Sequence, residues 1–438
     1  MRKLTARFGG VPSNVGWLIG EQGLNVILSV FTIPIIVRYL GVENYGMITA
    51  YTAVLSIITP LASGGVDSVL SKNLVESPQE EPELLGNATI VMVMGCLVAF
   101  MLSLLYLCYR WVRSESLVDI QVGVAVMSVV FFRLQMVPTG YLQAKMLVKR
   151  ASQGRIVGQS ISHVGRLLCV FVKAPVAAFG WAATLGGGLF GLIVMLLQAR
   201  ATGMISPRKW QFDLKKAWVW RRSAFVLGFT GVMTMIYRSG DQLLVSHMLG
   251  DRELGLYGGV VRLAEFAGLL PVAINTALFP LLVKSRLFDR DIYENRILQL
   301  FRLQNCLTLI VSLVLTLAAG PVINLFYGDG FAAAAPLLCL YVWTCFFVAQ
   351  INTKAQVLIA EGMYRVLFRW TIITAVLNIG INMILIPFMG ISGAAIASLV
   401  SYGFLAFVAT FLDPELRWVA KIQIKALVLP FPQFRGLV

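Results

Sequence analysis

Charged side chains are scarce in this sequence, and that scarcity excludes an ordinary soluble domain. Only 13% of the 438 residues are Asp, Glu, Lys or Arg, whereas 58% are hydrophobic and the mean hydropathy is +0.80. Soluble domains carry about 25% charged residues. The composition therefore predicts an all-α polytopic membrane protein.

Other functional groups are also rare. The chain has two histidines, His163 and His247, and six cysteines that stand singly and never as Cys-x-x-Cys. These patterns predict no metal site and favour cysteines that act as small apolar packing residues. The nucleotide-binding pattern Gly-x-x-x-x-Gly-Lys-Ser/Thr is missing from the sequence, so we expect no ATPase and no cofactor. Any coupling would then use H⁺ or Na⁺.

Long apolar runs dominate what remains. A run of about 20 apolar residues is long enough to cross a bilayer as a helix. Twelve spans are predicted: 15–37, 45–70, 86–109, 117–142, 156–176, 177–199, 225–249, 255–283, 304–326, 332–357, 366–388 and 391–412. The first run is too long, and lacks a small-residue cleavage site, for a cleaved signal peptide.

The distribution of basic residues predicts the orientation of the chain. With the N-terminus inside, 27 of the 36 Lys and Arg residues fall on the cytoplasmic side, among them Lys354, while Arg110 is one of five outside. This bias predicts that both termini lie in the cytoplasm. The net charge of +15 thus reflects topology, and no nucleic-acid partner is expected.

A basic, Trp-rich stretch divides the chain into two halves. Segment 203–222 interleaves tryptophans with Lys and Arg, which is typical of a helix lying on an anionic lipid surface. Several Gly, Leu and Arg landmarks recur 209 or 210 residues apart. We therefore predict two parallel six-helix lobes, 1–202 and 223–412, around a central cavity, with 203–222 as linker and 413–438 as a cytoplasmic tail.

Ionisable side chains inside the predicted spans are the candidate functional residues. Four arginines lie there: Arg133, Arg166, Arg238 and Arg262. Facing lipid, each would cost roughly 2.5–3.5 kcal/mol, so they must face protein or water. Their candidate acidic partners, or ion-coupling groups, are Asp241, Glu265, Glu21 and Asp67.

Two interpretations of these charges stay open. Asp241 and Glu265 each follow an arginine by three residues, so Arg238–Asp241 and Arg262–Glu265 can be internal pairs that fix helix packing. Alternatively, the arginines line a cationic cavity for an anionic headgroup, since guanidinium groups bind phosphate oxygens bidentately and stay protonated. Glu21 and Asp67 lie near predicted span ends, where solvent can reach them.

Several segments resemble the polysaccharide transporter family, the O-antigen-type flippases of the multidrug/oligosaccharidyl-lipid/polysaccharide exporter superfamily. The resemblance rests on residues 38–46 (Arg-Tyr-Leu-Gly-Val-Glu-Asn-Tyr-Gly), 241–245 (Asp-Gln-Leu-Leu-Val), Leu249-Gly250, Gly255-Leu256-Tyr257, Pro271, Leu278-Phe279-Pro280, Leu325-Phe326-Tyr327-Gly328 and Phe331. It implies two six-helix lobes that open alternately to each side. It also implies that the cavity arginines attract a pyrophosphate.

The function implied by this resemblance is translocation of an undecaprenyl-pyrophosphate-linked oligosaccharide from the cytoplasmic to the periplasmic leaflet, for O-antigen or exopolysaccharide assembly. The expected partners are the lipid-linked oligosaccharide, the bilayer, and polysaccharide polymerase and chain-length proteins. An ion-coupled multidrug exporter is one alternative, although an excess of arginine suits cationic drugs poorly. A membrane-embedded glycan polymerase or ligase is another, but the predicted outward loops are only a few residues long. A non-enzyme is therefore expected.

Overall fold

The computed structural model describes residues 11–114, 116–286 and 289–428, and all regular secondary structure in these ranges is helical. The all-α prediction is confirmed for this part of the chain. The chain divides between Met235 and Ile236 into two compact units.

The first unit contains eight α-helices, together with 3₁₀ helices Pro78–Glu80, Ser128–Gln135 and Pro207–Lys209 and a π-helix at Thr184–Phe190. The α-helices are α1 (Val11–Ser63), α2 (Val66–Glu76), α3 (Glu81–Ser114), α4 (Leu117–Met127), α5 (Met136–Ala144), α6 (Val148–Phe171), α7 (Val176–Ala183) and α8 (Gly191–Ala201). Helix α9 (Leu214–Leu249) runs from this unit into the second.

The second unit continues with α10 (Asp251–Arg286), α11 (Arg290–Leu317), α12 (Ala319–Tyr327), α13 (Ala335–Tyr341), α14 (Thr344–Glu361), α15 (Tyr364–Met389), α16 (Ile391–Gly403), α17 (Ala409–Leu412) and α18 (Arg417–Val428). It also holds 3₁₀ helices Asp329–Ala334 and Pro414–Leu416 and a π-helix at Phe404–Val408.

Helix α1 is broken at one glycine. Gly41 has φ 73° and ψ 177°, outside helical geometry. Glycine adopts this positive φ without the steric cost that a side chain would add. The break falls between the predicted first and second spans, 15–37 and 45–70.

Eight helices of the described ranges are long and apolar enough to cross a membrane: Gly20–Glu76, Pro78–Arg113, Leu117–Ala144, Val176–Ala201, Asp251–Arg286, Arg290–Leu317, Tyr364–Met389 and Ile391–Leu412. The pair Asp329–Tyr341 and Thr344–Glu361, bent by 46°, would make a ninth. The chain is thus a multi-pass membrane protein, while the count of twelve spans and the two-lobe arrangement stay predictions. The predicted fifth span lies on α6, whose Gln, Ser, His and Arg residues make it more polar than the others.

The π-helix of the first unit packs closely against α6. A Cβ built on Gly186 would lie 2.4 Å from the backbone nitrogen of Ser162, whereas one built on Gly187 would meet nothing within 4 Å. The absence of a side chain at Gly186 therefore permits this close helix packing.

The predicted linker, 203–222, is fastened to the start of α3. The backbone N–H of Gln211 donates to the Pro82 carbonyl at 3.1 Å, and that of Asp213 donates to Asn87 Oδ1 at 2.9 Å. Lys216 Nζ lies 2.7 Å from Glu83 Oε1, and this hydrogen bond raises the pKa of the lysine. The side chains of 217–222, on which the lipid-surface prediction depends, lie outside the described residues.

The segment predicted as a tail is a packed helix as far as residue 428. Val419, Ile422 and Ala426 of α18 are buried in one hydrophobic cluster with Tyr293 and Phe301 of α11. Asn305 Nδ2 donates to the Ala426 carbonyl at 3.2 Å. The sequence did not predict this helix, because its alternating Lys and apolar residues also suit a solvated segment.

Candidate functional site

Asp241 is the most enclosed of the predicted site residues. It lies on α9 with 0% exposure. Its Oδ2 accepts hydrogen bonds from Tyr257 Oη at 2.5 Å and Ser398 Oγ at 2.9 Å, and its Oδ1 accepts one from the Gln242 N–H at 2.8 Å. Helices α9, α10 and α16 thus meet at one carboxylate surrounded by neutral donors.

The predicted pair between Arg238 and Asp241 is not formed. Arg238 lies one turn before Asp241 on α9 with an exposed side chain, while the buried carboxylate bonds to hydroxyl groups instead. Three residues of spacing place two side chains on one face of a helix, but neighbouring helices decide which way each one turns. Arg238 is therefore available to a ligand without first breaking an ion pair with Asp241.

Arg262 and Glu265 form the second predicted pair. Arg262 Nη1 lies 3.0 Å from Glu265 Oε2, and the two side chains are 41% and 44% exposed. The guanidinium carbon also lies 5.5 Å from the ring centre of Phe266. Exposed pairs of this kind contribute at most about 1 kcal/mol, so an incoming anion can displace Glu265 at little cost.

Arg133 lies in the first unit, on the 3₁₀ helix Ser128–Gln135. Its Nη2 donates to Thr59 Oγ1 at 3.3 Å, which is long for a hydrogen bond. Its Nε is buried and bonds to none of the described residues. A buried N–H donor that is left unused is costly, because it has lost its water without gaining an acceptor.

The remaining candidates of the first unit have different surroundings. Arg166 is half-buried on α6. Glu21 is 8% exposed, so the expectation that solvent reaches it is wrong, and its oxygens accept from Arg155 Nε at 2.6 Å and Nη2 at 2.7 Å. Asp67 is half-buried in the first turn of α2. Glu21 thus forms a helix-to-helix ion pair.

Several buried charged residues were not among the predicted site residues, and Lys354 and Arg110 are two of them. Lys354, counted among the cytoplasmic basic residues, is 3% exposed on α14, so it is a buried charge and not a solvated one. Arg110, placed outside, forms a buried ion pair with Asp119. The polar run around Lys354, with Gln350 and Thr353 inside an apolar helix, is a signal that could have found it.

One carboxylate next to the last span is held ionised. Asp413 is 2% exposed, which disfavours its charged form, but Trp370 Nε1 donates to its Oδ2 at 2.7 Å and the Glu415 N–H to its Oδ1 at 3.1 Å. Arg369 Nη2 also donates to Oδ2. Together these donors outweigh burial and lower the pKa of Asp413.

Comparison with known proteins gives one family and one fold. The family described as "Polysaccharide biosynthesis protein" matches residues 11–286. The succinoglycan biosynthesis transport protein ExoT of Rhizobium meliloti (strain 1021) is 22% identical over 383 residues, which cover 84% of this chain and 73% of that protein.

Two solved structures share the fold at low identity. An inward-facing multidrug resistance MATE family transporter of the MOP superfamily superposes with a TM-score of 0.74 at 15% identity, over 91% of this chain and 95% of that one. The lipid II flippase MurJ in an inward closed conformation superposes with a TM-score of 0.70 at 14% identity, over 94% of this chain and 91% of that one.

Proposed function

The chain belongs to the polysaccharide biosynthesis protein family, and on that premise we propose that it is a flippase for a lipid-linked oligosaccharide. Its substrate is an undecaprenyl-pyrophosphate-linked repeat unit, moved from the cytoplasmic to the periplasmic leaflet by alternating access. The names of ExoT, a succinoglycan biosynthesis transport protein, and of MurJ, a lipid II flippase, support this proposal.

The unsatisfied guanidinium of Arg133 carries the chemical part of the proposal. Its Nε is buried without a hydrogen bond among the described residues, and Thr59 supplies only one neutral acceptor. A pyrophosphate offers several charged oxygens in the geometry that a guanidinium binds best. Binding of a pyrophosphate would give the Arg133 Nε an acceptor and would also neutralise the charge of the guanidinium.

Arginines of the second unit are further candidate donors for phosphate oxygens. Arg238 is exposed, and the ion pair of Arg262 with Glu265 is exposed and therefore weak. In our proposal Glu265 keeps Arg262 neutralised until a phosphate displaces it. Arg166 and Asp67 stay candidates on charge and position alone.

Asp241 is the proposed coupling group. Its carboxylate lies among Tyr257, Ser398 and the Gln242 N–H, and no described cation pairs with it in a salt bridge. Uptake of H⁺ or Na⁺ would neutralise this buried charge. A membrane potential supplies about 2.3 kcal/mol per charge per 100 mV, enough to bias such uptake.

We place the protein in the bacterial inner membrane with both termini in the cytoplasm, in a pathway for O-antigen or exopolysaccharide. The bias of basic residues supports this orientation. The proposed partners are polysaccharide polymerase and chain-length proteins, which would receive the repeat unit after transfer.

The test is export of surface glycan from cells whose own copy of the gene is deleted. Variants Arg133→Ala and Arg133→Lys are produced at matched protein level, with the exposed Arg252→Ala as control. Loss of a charge-assisted hydrogen bond should lower export about tenfold or more in Arg133→Ala, with lipid-linked repeat units accumulating, while the control exports normally. Arg133→Lys should be intermediate, since an ammonium cannot bind bidentately.

Normal export by both Arg133 variants would refute the cationic site and leave the family assignment standing.

The coupling step is tested separately with Asp241→Asn. Export by the unchanged protein should fall when either the H⁺ gradient or the Na⁺ gradient is dissipated. The gradient whose loss lowers export identifies the coupled ion. Asp241→Asn should export slowly and respond to neither treatment.

A further inference from the structure

The membrane-crossing helix Ile391–Leu412 of the second unit contains a widened turn. Residues Phe404–Val408 form a π-helix between α16 and α17, in which the Ala409 N–H bonds to the Phe404 carbonyl five residues earlier. A π-helix departs from the regular α-helical bonding pattern and is frequent at functional sites. Here the carbonyl oxygens of Leu405 and Ala406 accept hydrogen bonds from other helices.

Lys354 of α14 reaches these oxygens. Its Nζ donates to the Leu405 carbonyl, to the Ala406 carbonyl at 3.4 Å and to Thr410 Oγ1 at 2.8 Å. An ammonium has three N–H donors, and each has an acceptor here, although the contact with the Ala406 carbonyl is long for a hydrogen bond. The Thr410 hydroxyl in turn donates to the Ala406 carbonyl at 3.1 Å, so its lone pair points toward the lysine.

The ligands of this ammonium are neutral oxygens. Asp413 is bonded to Arg369 and Trp370 and forms no salt bridge with the lysine. Two carbonyls and a hydroxyl around a desolvated positive charge have the composition of a cation site. Gln423 of α18 completes the surroundings by donating to the Ala406 carbonyl at 3.2 Å.

We propose that the π-helix Phe404–Val408 is a binding site for a primary ammonium ion, which the chain fills with its own Lys354. The bound ammonium joins α14, the second half of the bent helix pair, to the last membrane-crossing helix. Packing alone does not account for this lysine, since an apolar side chain would fill the same space without desolvating a charge. The proposal concerns the second unit by itself and does not depend on the transported substrate.

The test measures thermal unfolding of the purified full chain in detergent. Lys354→Ala removes the ammonium that donates to the Leu405 and Ala406 carbonyls and to the Thr410 hydroxyl. Loss of these hydrogen bonds should lower Tm by about 6 °C or more. Propylammonium chloride replaces the missing atoms and should restore at least half of the loss. Tetramethylammonium chloride at the same concentration has no N–H group and should restore nothing. The exposed Lys284→Ala is the control and should respond to neither salt.

A second pair of variants serves if Lys354→Ala does not fold. Lys354→Met keeps the length of the side chain, and Thr410→Val removes one of the three acceptors. Both should lower Tm, and the double variant should lose clearly less than the sum of the single losses, because the two groups contact each other. Unchanged Tm in Lys354→Met, additive losses, or equal recovery of Lys354→Ala with both salts would each overturn the proposal.

Discussion

Breaking the buried ion pair between Arg110 and Asp119 should destabilise the first unit strongly. Arg110 Nε and Nη2 lie 2.9 and 2.7 Å from the two oxygens of Asp119, and the side chains are 10% and 2% exposed. The guanidinium also lies 5.6 Å from the ring centre of Tyr51. Asp119→Ala leaves a buried cation without its counter-charge, which costs about 3–5 kcal/mol.

This cost corresponds to a fall in Tm of about 6–20 °C for a unit of this size. Thermal unfolding of the detergent-purified protein measures it. Glu294→Ala is the matched control, because Glu294 pairs with Arg290 at 2.8 Å but the two side chains are 40% and 52% exposed. An exposed pair contributes at most about 1 kcal/mol, so this Tm should change by no more than about 4 °C.

A double substitution distinguishes charge burial from lost packing. Arg110→Met combined with Asp119→Leu replaces both charges with apolar side chains and should recover much of the stability lost by Asp119→Ala. If Asp119→Ala unfolds within 2 °C of the unchanged protein, or the double variant is less stable than the single one, the reasoning from burial is wrong.

Three further predictions concern other contacts. Gly186→Ala should lower Tm by several degrees because its Cβ would lie 2.4 Å from a backbone nitrogen, whereas Gly187→Ala, with open space around it, should not; equal effects would contradict this. Asp413 has a lowered pKa, so its stabilisation is complete above about pH 4 and is lost as the pH falls through the folded-state value. Asp413→Asn should therefore unfold earlier than the unchanged protein from pH 5 to 8, and the difference should shrink below pH 4; a constant difference down to pH 2 would refute it. Glu21→Gln should reduce the yield of folded protein, because it removes the charge that pairs with Arg155. The double variant Arg155→Glu with Glu21→Arg exchanges the two charges and should recover part of the lost yield. An equal yield from Arg155→Glu alone would exclude the pair.

Composition and periodicity were sufficient to predict the helical class and the break near Gly41. Apolar runs indicate where helices cross lipid, and a glycine between two runs marks where the backbone can turn. Apolar runs do not identify a more polar helix such as α6, because a helix shielded by its neighbours tolerates more polar residues.

Side-chain partners were harder to predict than helices. Arg262 and Glu265 form the pair that one of the two interpretations described, because both belong to one helix and their spacing permits the contact. Asp241 bonds instead to Tyr257 and Ser398, the latter 157 residues away in the sequence. Lys354 bonds to carbonyl oxygens of a π-helix, and a sequence pattern does not reveal such oxygens.

The packed helix α18 has a consequence for the order of events during synthesis. Its residues Ile422 and Ala426 complete the hydrophobic cluster around Tyr293, and Gln423 and Ala426 supply hydrogen-bond partners to Ala406 and Asn305. Chains emerge from the ribosome at about 5–20 residues per second and generally fold from the N-terminus. The second unit therefore cannot complete these contacts until α18 has been synthesised, whereas all residues of the first unit are made earlier.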